Sequence, residues 1–241
     1  MEKVIEVKDL VKKFGKFTAV NGISFDIFGG QIFALLGENG AGKTTTIKIL
    51  CNLLKKDGGS VKIFGYDSET DANKINTFIN VSPQETAVAP NLTVKENLVL
   101  IAKIYGQKKE QAILNADKIV EELKLKDEEN KKAKTLSGGM QRRLSIGMAL
   151  VTSPKILFLD EPTLGLDVRA RRNLWKIIEA LKGKITVILT THYLEEAEAL
   201  SDNMVVMKKG RIIAEGSAKE LKEKTGSDNI EDMFLSLMGE E

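Results

Sequence analysis

Gly37-Glu38-Asn39-Gly40-Ala41-Gly42-Lys43-Thr44 decides how this chain is read. Glycine, four residues, then Gly-Lys-Thr is the pattern of a loop that wraps a polyphosphate. Its glycines bring the backbone close to the anion and turn N–H groups toward it. Lys43 supplies a point charge for the β and γ phosphates, and the Thr44 hydroxyl suits Mg²⁺. The apolar run Gln31–Leu36 predicts a buried strand before the loop. Ile47, Leu50 and Leu54 predict a helix after it, with its positive end aimed at the anion. A glycine-rich turn that merely holds a lysine would not explain both flanks.

The composition fits a globular domain and excludes several other classes. Of 241 residues, 42% are apolar and 29% charged, enough for a sizeable core. A net charge of +2 gives no basic field for nucleic acid. No run of about 18 apolar residues is present to cross a membrane. The start, Met1-Glu2-Lys3-Val4-Ile5-Glu6, lacks the apolar stretch of a secretion signal, so a cytoplasmic location is expected. Cys51 is the single cysteine, which rules out an internal disulfide and suits a small core residue.

Outward from the loop, residues 4–28 read as strands, with Phe14-Gly15-Lys16-Phe17 between them. Ser60–Gly65 predicts a strand that joins this antiparallel set, and Phe78–Ser82 another that ends at Pro83-Gln84. From about residue 90 to 153 the pattern turns helical. Thr93-Val94-Lys95-Glu96 is a capping box for a helix through about Tyr105. A second helix is expected over about 108–123, with Ile113, Ala116 and Val120 on one side. This block reads as a helical lobe inserted into an α/β core. Strands at 155–160 and 185–190 then resume the core, followed by a hairpin around Lys208-Lys209-Gly210 and two closing helices.

Asp160-Glu161 ends the apolar run 155–160, and ligands of parallel sheets gather at such carboxyl ends. Asp160 is placed to hold Mg²⁺, and Glu161 to act as base toward a water. Leu136-Ser137-Gly138-Gly139-Met140-Gln141 precedes a helix carrying Leu144, Met148 and Val151. Ser137 is an N-cap by composition, and the two glycines leave N–H groups free to hold a phosphate.

In these motifs the chain resembles the ATP-binding subunits of ABC transporters over essentially its full length. Leu136–Met140 matches that family's signature, and Gln84 its Q-loop glutamine. Leu164-Gly165-Leu166-Asp167 matches the D-loop, and His192, the only histidine, the switch histidine. Phe14 stands where the family stacks a ring on adenine, usually Tyr, with Phe17 close by. Gly147-Met148 departs from the usual Ala-Arg before Ala149-Leu150, which bears on helix contacts. The stretch Thr190–Ala197, followed by Lys209-Gly210-Arg211-Ile212, is similar to drug, lipid and polysaccharide exporter ATPases.

The resemblance implies a P-loop NTPase of RecA-like α/β fold, with an N-terminal antiparallel β subdomain and an inserted α-helical subdomain. It assigns 1–86 and 154–225 to the core and β subdomain, 87–153 to the helical insert and 226–241 to a helical tail. It implies ATP and Mg²⁺ as cofactors, and an enzyme whose ATP hydrolysis drives transport through a separate membrane permease. Two copies, alike or similar, would face head to tail on the inner face of the membrane. Gly37, Asn39, Gly40, Ala41, Gly42, Lys43, Thr44, Thr45 and Phe14 would hold one side of the nucleotide. Ser137, Gly138, Gly139 and Asp167 would close on it from the other copy. Thr44, Asp160 and Gln84 would serve the metal, and Glu161, His192 and Gln84 the reaction. The helical insert would meet the permease, with Val88 and Leu92 either as a docking patch or packed under the next helix. The alternatives are a non-transport ABC ATPase acting on nucleic acid or ribosomes, and another P-loop class. Asn73-Lys74-Ile75-Asn76 and Asn130-Lys131-Lys132-Ala133 both lack the aspartate of a guanine-reading Asn-Lys-x-Asp.

Overall fold

The computed structural model describes residues 2–239. Met1, Glu240 and Glu241 lie outside it, and with them the two ends of the expected division. A six-stranded sheet forms the centre, in the order β10-β9-β3-β8-β7-β6. Its parallel members are β3 (Ile32–Gly37), β6 (Ile79–Ser82), β7 (Ile156–Asp160), β8 (Thr186–Thr191) and β9 (Asn203–Lys208). β10 (Arg211–Gly216) returns antiparallel to β9. A second, antiparallel sheet runs β2-β1-β4-β5 through β1 (Lys3–Phe14), β2 (Phe17–Phe28), β4 (Gly58–Ile63) and β5 (Tyr66–Asp67).

The central strands are buried on both faces, so their sequences read as unbroken apolar runs. Alternation still divides them. Ile32, Ala34, Leu36, Leu157, Leu159, Val187 and Leu189 face a core closed by helices. Phe33, Leu35, Phe158 and Ile188 face a second core, shared with β1, β2, β4 and α1 (Lys43–Leu50). The first core is lined by α3 (Val94–Ile104), α4 (Lys109–Glu122), α5 (Gly138–Leu150), α6 (Val168–Glu179) and α7 (Leu194–Leu200). α8 (Ala218–Thr225) and α9 (Ile230–Met238) pack beside β10 and α7.

The expected capping box at Thr93 forms, and a second one forms at Ser217. Thr93 N donates to Glu96 Oε2 at 2.7 Å, and Ser217 N to Glu220 Oε2 at 2.8 Å. The consecutive helices α3, α4 and α5 pack on one another, and α5 also packs on β6, β7 and α6.

Several local expectations change. α1 stops at Leu50 because Asn52 turns left-handed at φ 57°, so Leu54 reaches the core from a turn rather than from the helix. The inward face of α4 is Ala112, Ala116, Ile119 and Val120, with Ile113 half-buried beside it. The polar stretch after α4 holds two short 3₁₀ turns, Lys126–Glu128 and Ala133–Thr135. β5 and a one-turn helix, α2 (Ala72–Ile75), carry too few apolar positions to show a period. Gly147 and Met148 answer the question of helix contacts. A Cβ on Gly147 would lie 2.4 Å from Leu123 Cδ1 and 3.0 Å from Ile119 Cγ2, so the glycine lets α5 press against α4. Met148 packs half-buried against the same core.

Candidate nucleotide site

The loop begins where β3 runs out of the sheet. A Cβ at Gly37 would lie 2.3 Å from Met207 O, and one at Gly42 2.5 Å from Ala19 O. Both positions exclude a side chain because the loop is folded tightly over the neighbouring backbone. Gly42 is also the N-cap of α1 and supplies no capping side chain. The first N–H groups of α1 are thus left to an outside acceptor. Lys43 is 6% exposed. Its Nζ donates to Gly37 O at 2.6 Å and Glu38 O at 3.1 Å. Burial pushes its pKa below the ordinary lysine value, while Glu161 and then Asp160 pull it back up.

The ends of β7 and β8 bring the acids to this ammonium. Glu161 Oε1 lies 3.4 Å from Lys43 Nζ. Glu161 Oε2 accepts from His192 Nδ1 at 2.8 Å. Glu161 is 6% exposed and left-handed at φ 47°, which re-aims its side chain at the strand end. Thr190 holds that turn: its Oγ1 donates to Asp160 Oδ1 at 2.6 Å and accepts from Glu161 N at 2.9 Å. Thr44 Oγ1 donates to Asp160 Oδ1 at 3.0 Å.

These residues fit a nucleotide with its metal. The open N–H groups and the buried ammonium suit phosphate. Among the described residues no cluster of three or more His, Cys, Asp or Glu could hold a metal alone. Thr44 and Asp160 offer a hydroxyl and a carboxylate, the partial oxygen set that Mg²⁺ completes with phosphate and water.

Arg142 was not legible as a functional residue. It is 4% exposed and donates to Asp160 O at 3.1 Å, Glu161 O at 2.6 Å, Pro162 O at 2.8 Å and Pro83 O. One guanidinium of α5 therefore ties the Asp160-Glu161 turn to the segment that leads into Gln84. Burial lowers its pKa, which Asp160, Glu196 and Glu161 oppose.

A cleft of about 340 Å³ gathers Asn39 to Thr45 of the loop with Gln84, Glu161, His192 and the rings of Phe14 and Phe17. Both rings are surface groups, 50% and 62% exposed, so neither belongs to the core. Lys12 Nζ stands 5.5 Å from the Phe14 ring centroid. Gln84 is exposed at this cleft.

Ser137, Gly138, Gly139 and Asp167 do not line it. Ser137 Oγ accepts from Met140 N at 3.3 Å as the cap of α5. Asp167 Oδ1 accepts from Ala170 N at 2.8 Å as the cap of α6. The two helix starts adjoin, since a Cβ on Gly139 would lie 3.0 Å from that of Ala170. Ser137, Gly138 and Asp167 are exposed.

A family model described as ABC transporter matches residues 20–164. The chain is 41% identical to the daunorubicin/doxorubicin resistance ATP-binding protein DrrA of Streptomyces peucetius, over 94% of this chain and 69% of that one. It is 40% identical to the Nod factor export ATP-binding protein I of Burkholderia lata, over 94% and 75%. With the linearmycin resistance ATP-binding protein LnrL of Bacillus subtilis it shares 37% identity over 98% and 76%. Among solved structures, an ATP binding subunit of an ABC transporter superposes with a TM-score of 0.86 at 28% identity, covering 98% of this chain and 99% of that one. An ATP-binding cassette in its ADP conformation gives 0.85 at 30% identity, over 98% and 99%.

Proposed function

The chain belongs to the ABC transporter family, and from that premise we propose how its residues bind and hydrolyse ATP to drive a membrane partner. It is an ATPase subunit of the exporter type, in keeping with the export and resistance proteins it resembles. The reading at residue level is supported above all by Glu161, held between Lys43 and His192 at the mouth of the phosphate loop.

The loop amides and α1 bind the phosphates, and Lys43 turns its Nζ from the loop carbonyls to their oxygens. Thr44 and Asp160 hold Mg²⁺, with Gln84 completing the set from the cleft mouth. When bound, the metal neutralises charge on the β and γ phosphates. Departure of Lys43 frees Glu161 Oε1 to accept a proton from the attacking water. His192 orients the γ phosphate while its Nδ1 steadies Glu161. Phe14 stacks on the base. Ser137, Gly138, Gly139 and Asp167, which their own cleft does not include, serve the nucleotide of a second copy, head to tail. Glu161→Gln keeps the shape and loses the base, so it is expected to bind ATP and slow hydrolysis by about 10²–10⁴-fold. A coupled phosphate-release assay checks this; wild-type turnover in the variant would remove Glu161 from its role.

No helix among the described residues is long and apolar enough to cross a membrane; the reading assigns the transport path to a separate permease, in keeping with the export ATP-binding proteins it resembles. The chain acts beside it on the cytoplasmic face. On the expected division into core (1–86, 154–225), helical insert (87–153) and tail (226–241), the contact is assigned to the region between core and insert. Val88 is half-buried and packs against the helical core, and Leu92 is half-buried too. Buried Asn97 fixes that segment through Ala89 N and O. Leu53, 64% exposed, and Tyr105, 52% exposed, share one small cleft with Asn80 and Val81. These make the better docking patch. Leu53→Asp is expected to preserve hydrolysis by the isolated subunit and to lower its co-purification with the permease. Intact assembly and transport in that variant would move the contact elsewhere.

A further inference from the structure

His192 stands between the end of β8 at Thr191 and the start of α7 at Leu194, where the sheet ladder no longer fixes it. Besides its hydrogen bond to Glu161, its ring meets Tyr193, and the residues that follow it are tied to α6. Tyr193 N donates to Thr191 Oγ1 at 3.0 Å, and the Tyr193 ring lies 4.2 Å from the His192 ring, tilted by 39°. From α6, the Arg171 guanidinium stands 5.6 Å from the Tyr193 ring centroid and 5.8 Å from that of Trp175. Trp175 Nε1 donates to Glu196 Oε1 at 3.0 Å. Glu196 belongs to α7, so the path closes on the element that follows His192.

Each member has a physical reason to stay. The Arg171 side chain is 23% exposed, which strengthens its attraction to the two ring faces. Glu195 touches it only at 3.9 Å. Glu196 is fully buried. Burial raises the pKa of its carboxyl, which the nearby Thr191 and Thr163 hydroxyls and the indole N–H oppose, and Trp175 Nε1 is the donor in hydrogen-bond geometry. The indole N–H is thus the defined donor to this buried carboxyl, and that bond locks the Trp175 ring. Arg171 lies one turn beyond Asp167, its N donating to Asp167 O at 2.9 Å.

We propose that Arg171, Trp175, Tyr193 and Glu196 form a clasp that positions His192 and ties it to the helix beginning at Asp167. They are positioning residues and do not touch the nucleotide. The clasp rests on the reading of His192 as the γ-phosphate contact. Through it, a shift at Asp167, where the second copy would meet this chain, reaches His192 without passing through the phosphate loop.

The test is ATP turnover by the full chain carrying Arg171→Met, Arg171→Lys, Tyr193→Ala or Arg171→Met with Tyr193→Ala. Arg171→Met is expected to lower kcat by about three- to tenfold with little change in KM, and Arg171→Lys to recover most of it. The double variant is expected to be no slower than the slower single one, since both break one link. Trp175 is the only tryptophan, so its emission reports on the ring: Arg171→Met shifts it and Arg171→Lys restores it. If Tyr193→Ala does not fold, the two Arg171 variants decide alone. Wild-type kcat in Arg171→Met, unchanged Trp175 emission, or losses that multiply in the double variant would overturn the clasp and leave the proposed function standing. A wild-type chain without ATPase activity would instead remove the reading beneath it.

Discussion

Lys43 is a buried ammonium whose hydrogen bonds go to two loop carbonyls. Burial disfavours its charge, as the lowered pKa records, and an incoming polyphosphate relieves that penalty. Lys43→Ala is expected to weaken ATP binding by at least about 30-fold, the effect of removing one partner of a buried charge pair. Calorimetric titration checks this, and unchanged affinity would contradict the site. Lys43, Thr44, Asp160 and Glu161 could be brought to one place from the sequence because each stands inside a contiguous motif on a strand end or loop, and His192 through the resemblance. Arg142 could not, although it holds the same turn. Its acceptors are backbone carbonyls of Pro83, Asp160, Glu161 and Pro162, and a carbonyl leaves no mark on residue type. Thr190 was likewise hidden, since a threonine inside an apolar strand reads as a β-former before it reads as a hydrogen-bonding bracket.

Among the elements, α5 links the chemistry to the helical lobe. Its N-terminus is Ser137-Gly138-Gly139, its middle carries Arg142, and its far half meets α4 at Gly147. Two effects compete at Gly147. Alanine in a helix interior gains up to about 1 kcal/mol over glycine. Overpacking a filled core loses about 1–3 kcal/mol. The added Cβ would sit 2.4 Å from Leu123 Cδ1, and Leu123 is itself buried at 1%, so overpacking wins. Gly147→Ala is expected to lower stability by about 1 kcal/mol, and Gly147→Val by more, in urea unfolding. A stabilised Gly147→Ala would show that the α4–α5 contact is loose. The element pattern itself was readable from periodicity and caps, from the Thr93 capping box to the two closing helices. The full length of β1 was less so. It passes register shifts and a left-handed Asp9 at φ 47°, which interrupt the alternation a regular strand would show. Val88 needed the fold as well. Only the buried Asn97 shows that its loop is pinned inward rather than presented.

At the scale of the whole molecule, the proposed head-to-tail arrangement makes each chain half of a site. The phosphate loop, Glu161, His192, Gln84 and the two aromatic rings meet in one cleft. The caps of α5 and α6, Ser137 and Asp167, are exposed and lie outside that cleft's lining, and the two helix starts adjoin at Gly139 and Ala170. Two such chains placed head to tail would each complete the other's nucleotide site. ATP would act as the adhesive and hydrolysis as the release, which couples the chemistry to motion in a membrane partner. The most direct measurement is sedimentation velocity of the Glu161→Gln chain with Mg-ATP, alone and with Ser137→Arg added. Glu161→Gln is expected to sediment as a dimer with Mg-ATP and as a monomer without it. Adding Ser137→Arg is expected to abolish the dimer while each chain still binds ATP. A Glu161→Gln chain that binds Mg-ATP yet stays monomeric over a wide concentration range, or a dimer indifferent to Ser137→Arg, would contradict the shared site.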